Sequence, residues 1–441
     1  MLRGINKAQA DEAYRLLQSL TVASRPLRVE ELAELLAFDF QASTPEGIPT
    51  LKEDWRWDDQ EEAVLSICSS LITIIPDGNS RVVQFSHFSV KEYLTSCRLA
   101  RSPCVDVSRF HVDLEAAHTI MAQACLSTLL RLDEHDGKSN TKRSPLVTYS
   151  AQYWVEHAQF EKVSSRIRDG MDDLFDSSKP HFAAWLQVHE IDEPWSFFGA
   201  PQPHHIGSPL YYAAFCGLYD LAEHLILKYP EQVNARGGHL LAPLLAALYK
   251  RHFLVANLLY RHGAVVNIIV QDYQKQTPLL MATGSGCVDV MRWLLDHGAD
   301  ADARNALNHT PLHFAMFNTH FEAIQVLLHH GVDIDLQNIL GETPLYSFLK
   351  RASLSSEEMV DRVRWLLEHG TDTNIPDFDH STALHLASSS GWAEVVQLLL
   401  SYGAKVDEKD QQGRTPFQLA TSNGHNATAK LLLEYGAVPQ P

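Results

Sequence analysis

A repeating segment fixes most of what this chain can fold into. The stretches SPLYYAA, APLLAAL, TPLLMAT, TPLHFAM, TPLYSFL, TALHLAS and TPFQLAT begin at Ser208, Ala242, Thr277, Thr310, Thr343, Thr382 and Thr415. Successive starts lie 34, 35, 33, 33, 39 and 33 residues apart. A second marker, HG or YG, keeps the same beat at Gly263, Gly298, Gly331, Gly370, Gly403 and Gly436. Each period reads as a pair of helices. Thr caps the free amides of the first, and Pro follows at the position where no N–H is required. Leu and Ala behind it make one apolar face. The next run, VVQLLLSYGA from Val395 for example, makes an antiparallel second helix that Gly closes in the left-handed conformation. A lone hairpin of this kind cannot bury its apolar face, so neighbours stack and share their stability. Leu398 and Leu399 are expected to face adjacent helices, and the row is expected to unfold as one cooperative solenoid.

With these residues in place, the stretch from about Gly207 to Val438 resembles the ankyrin repeat, which has a period of about 33 and a T-P-L-H-x-A signature. About seven units are expected. The long step before Thr382 places an insertion around Ser353 to Glu358, where Ser355 is suited to cap the following helix and Glu358 stands three residues on. In the first unit Pro230 stands where the others have glycine. His313 and His385, with His297, His330 and His369, invite a metal reading. Equivalent histidines would sit one layer apart, roughly 10 Å, too far to share one ion, so structural hydrogen bonding is expected.

The resemblance implies a concave face built from the loop tips and the first helices. Carried onto this sequence, the residues projecting there are Phe215/Cys216, Tyr249/Lys250, Gly284/Ser285, Phe317/Asn318, Ser389/Ser390 and Ser422/Asn423. The tips carry Asp272-Tyr273, Asn305-Ala306, Asn338-Ile339, Asp377-Phe378 and Asp410-Gln411. Large side chains at interface centres are typical anchors. Tyr273, Ile339, Phe378, Phe317, Asn318 and Tyr249 are therefore the expected partner-binding residues, and the expected partner is another protein.

The first 200 residues do not repeat. DEAYRLLQSL (Asp11–Leu20), VEELAELLAF (Val29–Phe38, entered through Ser24–Pro26) and EEAVLSICSSL (Glu61–Leu71) read as helices. LITIIP and RVVQFSH flank an Asp77–Asn79 turn and read as a β-hairpin. Ser89 to Glu92 reads as a capping box opening a helix through Leu94. Helices followed by a hairpin predict a winged helix. The segments ASRPLRVEEL and FSHFSVKEYLTS resemble the winged helix of fungal NACHT–ankyrin proteins, NLR-like signalling ATPases; the same winged helix is also labelled after GPI inositol-deacylase. TYSAQYWVEHA (Thr148–Ala158) and FAAWLQVHEIDEPW (Phe182–Trp195) resemble the helical linker of that group. The expected fold is mainly α: a winged helix over 1–100, a helical linker over 101–200 and an ankyrin solenoid over 201–441.

In that group an NTPase precedes the winged helix, with a G-x-x-x-x-G-K-[ST] loop. Here the winged-helix segments begin near Met1, and the nearest imitation, Gly137-Lys138-Ser139, has Leu132 where the first glycine belongs. Without that glycine the backbone cannot wrap a phosphate. The chain is expected to lack the NTPase and not to hydrolyse ATP, and Lys138→Ala is the substitution that checks it. Gly284-Ser285-Gly286 lacks the third glycine of a dinucleotide loop and reads as a turn. No G-x-S-x-G or H-E-x-x-H occurs. Asn308-His309-Thr310 and Asn426-Ala427-Thr428 match the glycosylation triplet, and Asn308 occupies a turn position suited to positive φ. No catalytic residue, metal or cofactor is expected.

Charge narrows the partner. The chain carries a formal charge of −18, and residues 1–200 hold 20 Lys+Arg against 30 Asp+Glu. VEELAELLAF has three glutamates and no base. Such a surface repels a phosphate backbone, so no nucleic-acid or membrane partner is expected. The rival functions are a nucleotide-driven switch and a winged-helix DNA-binding regulator. Six scattered cysteines, no signal-peptide core and no apolar run near the roughly 20 residues of a bilayer span point to an intracellular, cytoplasmic protein.

Overall fold

A computed structural model describes residues 2, 5–43, 48–52, 59–78, 80–132, 144–189, 191–192, 206–269, 275–318, 320–351 and 356–439. The chain forms two compact units, residues 1–264 and 265–441.

The first unit opens with α1 (Ala10–Val22), β1 (Leu27–Arg28), α2 (Val29–Leu36), a hairpin β2 (Phe38–Ser43) and β3 (Pro49–Leu51), then α3 (Gln60–Cys68). β4 (Ile72–Asp77) and β5 (Ser80–Phe85) follow, paired from Ile72↔Phe85 to Asp77↔Ser80. The sheet order is β1-β5-β4. Three helices leading into a two-stranded wing, with β1 added at its edge, make a winged helix. The β4–β5 hairpin lies where Asp77-Gly78 predicts it, with Gly78 at φ 58°.

Three expectations change here. The β2–β3 hairpin, placed between α2 and α3, was not anticipated. The helix after the wing, α4 (Phe88–Leu94), is capped by His87, whose Nδ1 accepts from Ser89 N–H at 3.2 Å. No capping box forms at Ser89, because His87 offers an acceptor two residues earlier. Finally, α2 is no recognition surface: Glu31, Leu32, Ala33, Glu34, Leu35 and Leu36 are all buried. Glu31 accepts from Arg25 and from Arg28 N–H, and Glu34 accepts from Leu146 N–H at 2.8 Å. The second helix of the helix-pair arrangement is α3, the one that would enter a groove.

Short helices α5 (Cys97–Ala100) and α6 (Val105–Ser108) lead to α7 (Leu114–Leu129), α8 (Val147–Ala158), α9 (Val163–Arg166), α10 (Arg168–Leu174) and α11 (His181–Val188). Their core is aromatic. Trp154 and Trp185 are fully buried with ring centroids 5.5 Å apart, and Phe175 packs against both. Trp185 Nε1–H donates to Ala151 O at 3.1 Å.

A polar chain ties α7 and α8 to the α1–β1 corner. Ser24 N–H donates to Tyr149 Oη (3.1 Å), which meets His157 Nε2 at 2.9 Å, and His157 Nδ1 meets His118 Nδ1 at 2.9 Å. Facing Nδ1 atoms allow one hydrogen between them. All partners are satisfied when Tyr149 donates to His157, His157 donates to His118, and both imidazoles are neutral. Burial pushes His157 down to about 3, with the neighbouring His118 adding to it. His118 is lowered too, chiefly by burial and then by the Lys91 charge. A histidine depressed in the fold contributes stability that is present above its unfolded value near 6.5 and lost as pH falls below it. Hydrogen-exchange protection of α7 and α8 is therefore expected to weaken between pH 7 and 5, and His157→Gln to flatten that dependence. A pH-independent wild type would contradict the hydrogen-bond polarity assigned to the chain.

Two repeat units complete this half: α12 (Pro209–Phe215) with α13 (Tyr219–Lys228), and α14 (Pro243–Tyr249) with α15 (Phe253–Arg261). A 3₁₀ turn, Pro230–Asn234, replaces the closing glycine of the first. The linker helices cover the outer side of that first unit. The Phe182 and Tyr212 rings meet edge-on at 5.6 Å, Gln159 donates to Cys216 O at 2.5 Å, and Ser164 donates to Asp220 at 2.6 Å.

Among its described residues the second unit holds five helix pairs. The first helices are α16 (Pro278–Gly284), α18 (Pro311–Phe317), α20 (Pro344–Arg351), α22 (Ala383–Ser390) and α24 (Pro416–Ser422). Their partners are α17 (Val288–Asp296), α19 (Phe321–His329), α21 (Ser356–Glu368), α23 (Ala393–Ser401) and α25 (Asn426–Glu434). The caps are as expected: Thr277, Thr310 and Thr415 accept from the amide three residues on, each followed by Pro. Second helices close at glycines such as Gly403, φ 90°. α21 has 13 residues where α17, α19, α23 and α25 have 9, so four of the six extra residues extend this helix. Ser353 to Ser355, including the expected cap, lie outside the described residues.

The core side of α23 is Val395, Val396, Leu399 and Leu400, and Leu399 is fully buried. Leu398 is only half-buried. Helical periodicity explains the correction: at about 100° per residue those four side chains share an arc of roughly 140°, and Leu398 falls outside it, about 130° from its centre.

Candidate partner interface

The tips of the second unit are built alike. Asn305, Asn338, Asp377 and Asp410 are buried and fold their side chains back onto the amides two and four residues on; Asn305 Oδ1, for example, accepts from Leu307 N–H and His309 N–H at 2.9 Å each. Positive φ follows in every tip: Asn308 55°, Gly341 76°, His380 55° and Gly413 76°. This is the turn role expected of Asn308.

These constraints force the side chains at the crest outward. Adjacent tips are joined through the backbone: Ile339 N–H donates to Leu307 O and Phe378 N–H to Leu340 O, both at 3.1 Å. Leu307, Ile339, Leu340 and Phe378 are thereby brought side by side, and they are 45%, 44%, 53% and 68% exposed. A Cβ on Gly341 would lie 2.8 Å from Phe378 Cδ1, so the ring rests against the bare backbone of the preceding tip. Scattered exposed apolar residues need no explanation, but four in one strip do.

The expected residues separate accordingly. Ile339 and Phe378 stand in the strip. Leu307 and Leu340, outside the expected set, sit one position after Ala306 and Ile339. Asn318 is exposed at the end of α18. Phe317, on the first helix α18, is half-buried and packs edge-on against His309 of the tip at 5.2 Å. Tyr249 belongs to the first unit, where it stacks on Phe215 at 6.4 Å with the Lys250 ammonium 5.6 Å from its ring. Tyr273 lies outside the described residues.

The motif histidines are consumed by the fold. His313 Nδ1 accepts from Thr310 N–H (3.2 Å), leaving Nε2–H to donate to Glu342 O at 3.1 Å. His385 repeats this with Thr382 and the carbonyls of Glu408 and Arg414. Burial pushes His313 down to about 4, so the neutral tautomer persists. Among the described residues no three His, Cys, Asp or Glu side chains are grouped to hold a metal. The Gly137–Ser139 stretch is outside the described residues. Among the described residues no helix is long and apolar enough to cross a membrane.

In the winged helix, α3 carries Glu61 and Glu62 and no base, and Asp59 caps it. Glu61 pairs with Arg81 of the wing strand β5. Arg81, the base carried by the β4–β5 wing, is thus paired with an acid.

Residues 210–305, 243–338 and 349–440 match the family described as ankyrin repeats, and residues 1–105 match the winged helix domain of GPI inositol-deacylase. The second match covers the winged helix alone. The chain is similar to the azaphilone pigments biosynthesis cluster protein L of Monascus ruber, 30% identical over 285 residues, which is 60% of this chain and 58% of that protein. It is also similar to alpha-latrocrustotoxin-Lt1a of Latrodectus tredecimguttatus, 29% identical over 119 residues, 26% of this chain and 8% of the toxin. The alignments thus span little more than half of the first relative and a small part of the second.

Proposed function

Since the chain belongs to the ankyrin-repeat proteins, we propose that it works as a protein–protein interaction module that holds its partner on the tip strip of residues 265–441. The observation that carries this reading is the strip itself: Leu307, Ile339, Leu340 and Phe378, aligned by backbone hydrogen bonds and left open. Apolar side chains at this density gain roughly 25 cal/mol for each Å² a partner covers. The winged helix serves as a packing module, and the whole acts as a scaffold or as the sensing half of an NLR-like system in the cytoplasm. The acidic α3 and the pairing of Arg81 weigh against the DNA-binding alternative. The nucleotide-driven switch would place the NTPase outside these 441 residues.

The test compares the full chain with the Leu340→Ala/Phe378→Ala double variant as bait in lysate of the source organism. Because the crest side chains bury little, the thermal midpoint is expected to move by less than about 2 °C. Capture of the partner is expected to fall by about 10-fold or more, as for loss of interface anchors. Equal capture by both baits would place the partner elsewhere. A large loss of stability would show that these side chains hold the repeats together instead.

A further inference from the structure

The described tips of the second unit close in one pattern. Asn305, Asn338, Asp377 and Asp410 each donate the backbone N–H to the carbonyl four residues on, and each side chain accepts from the amide two residues on. In the first unit, the tip that enters α14 makes the same closing bond, from Gly237 N–H to Leu241 O at 3.1 Å. It cannot make the other, because Gly237 has no side chain to fold back. Nor is there space for one. A Cβ on Gly237 would lie 2.9 Å from Ile206 O and 3.0 Å from Gly207 Cα.

The missing acceptor comes from beyond the repeat. Asp192, shortly after α11, accepts from His239 N–H through Oδ2 at 2.7 Å. His239 stands two residues after Gly237, where the other tips use their own side chain. The same oxygen accepts from Tyr211 O–H at 2.6 Å, and Tyr211 Oη accepts from Leu240 N–H at 3.2 Å. Tyr211 holds in SPLYYAA the place that His313 and His385 hold in their own units. Those histidines reach the closing carbonyls of the next tips, Glu342 O and Arg414 O. A tyrosine has one hydrogen to give, and here Asp192 takes it. The Tyr211 ring is fully buried, and a Cβ on Gly207 or Gly238 would run into it, so the hydroxyl is held in place.

Asp192 is 6% exposed, and both of these donors are uncharged. Short hydrogen bonds to an ionised oxygen are strong, but a carboxylate gives up much of its hydration when buried. The two effects oppose each other, so a small difference holds the contact. Once released, Asp192 regains water, whereas the tip it leaves lacks an acceptor for His239 N–H and Tyr211 O–H.

We infer that Asp192 is a releasable latch. Seated, it completes the first tip from outside the repeat; withdrawn, it takes the order of residues 237–241 with it. The first tip is conditional on the segment after α11, while the tips that begin at Asn305, Asn338, Asp377 and Asp410 carry their own acceptors and are not.

Hydrogen exchange on the full chain tests the latch. As urea is raised below the unfolding transition, residues 235–242 are expected to open together with α11 rather than with α14, which they adjoin. Asp192→Ala should speed exchange of that stretch by about 10-fold or more, as for buried donors left without an acceptor, and leave residues 338–342 unchanged. Asp192→Asn offers an amide oxygen to both donors and should stay within about 3-fold of wild type. Formate should slow the Asp192→Ala tip where chloride at equal ionic strength does not, because it returns a carboxylate to the same donors. Tyr211→Phe keeps the ring and should speed the tip about 3-fold or more; it carries the test if Asp192→Ala does not fold. A tip that opens with α14, a tip indifferent to these substitutions, a loss spread evenly over α11 to α15, or formate acting no differently from chloride would each overturn the inference.

Discussion

Truncating Trp185 to alanine is expected to cost about 3–5 kcal/mol, the range for removing a fully buried large aromatic. Trp185 has no exposed surface, packs edge-on against Trp154 and at a tilt against Phe175 and Phe182, and uses its indole N–H on Ala151 O. Nothing nearby can fill the space, because the neighbouring rings are themselves held by contacts on their other sides. The loss should not stay within the linker. Phe182 carries the contact to Tyr212, so α12 and α13 are expected to lose hydrogen-exchange protection together with α8 and α11. Denaturant unfolding gives the total and exchange gives its distribution. A loss below about 1 kcal/mol, or one that leaves α12 and α13 protected, would mean that the aromatic core and the first repeat are energetically separate.

The second large effect belongs to α23. Leu399→Ala should destabilise residues 265–441 by about 2–5 kcal/mol, as buried leucines do. Leu398→Ala, half-buried on the neighbouring position, should cost about 1 kcal/mol or less. The contrast is the point of the experiment, since both residues have the same chemistry and differ only in the direction the helix gives them. Equal costs would misplace the core face. In a stack where each unit leans on its neighbours, the Leu399 cavity should lower protection in α21 and α25 as well. Loss confined to α23 would contradict the cooperative row expected from the repeat pattern.

The repeats were legible because their signals are local and redundant. A Thr-Pro opening, an apolar face and a closing glycine each follow from backbone chemistry at fixed offsets, and seven copies reinforce one another. The winged helix was legible in outline through the Asp77-Gly78 turn. What escaped depended on tertiary context. β2 and β3 are short strands that pair only because the chain returns between α2 and α3. The glutamates of α2 read as solvated surface, yet Glu31 and Glu34 are buried because Arg25 and the Leu146 amide satisfy them from outside the helix. At the candidate interface, family positions pointed to Ile339 and Phe378 but passed over Leu307 and Leu340. Their exposure follows from the inter-tip hydrogen bonds, which no single repeat encodes. Phe317 stands at an expected groove position on its first helix, and its ring packs on His309, a residue peculiar to its own unit.

A stack of like units has no natural length: whatever surface receives the next unit is still there after the last one has been added. The chain answers this at one end with unlike material. By laying Phe182 on Tyr212 and closing the Cys216 carbonyl and the Asp220 carboxylate with Gln159 and Ser164, the linker helices act as a boundary that ends the series. A fragment beginning at residue 201 would keep the repeats but bare that adhesive end. It should self-associate or precipitate more readily than the full chain, and any partner it captured would include molecules drawn to a surface that the linker helices otherwise cover.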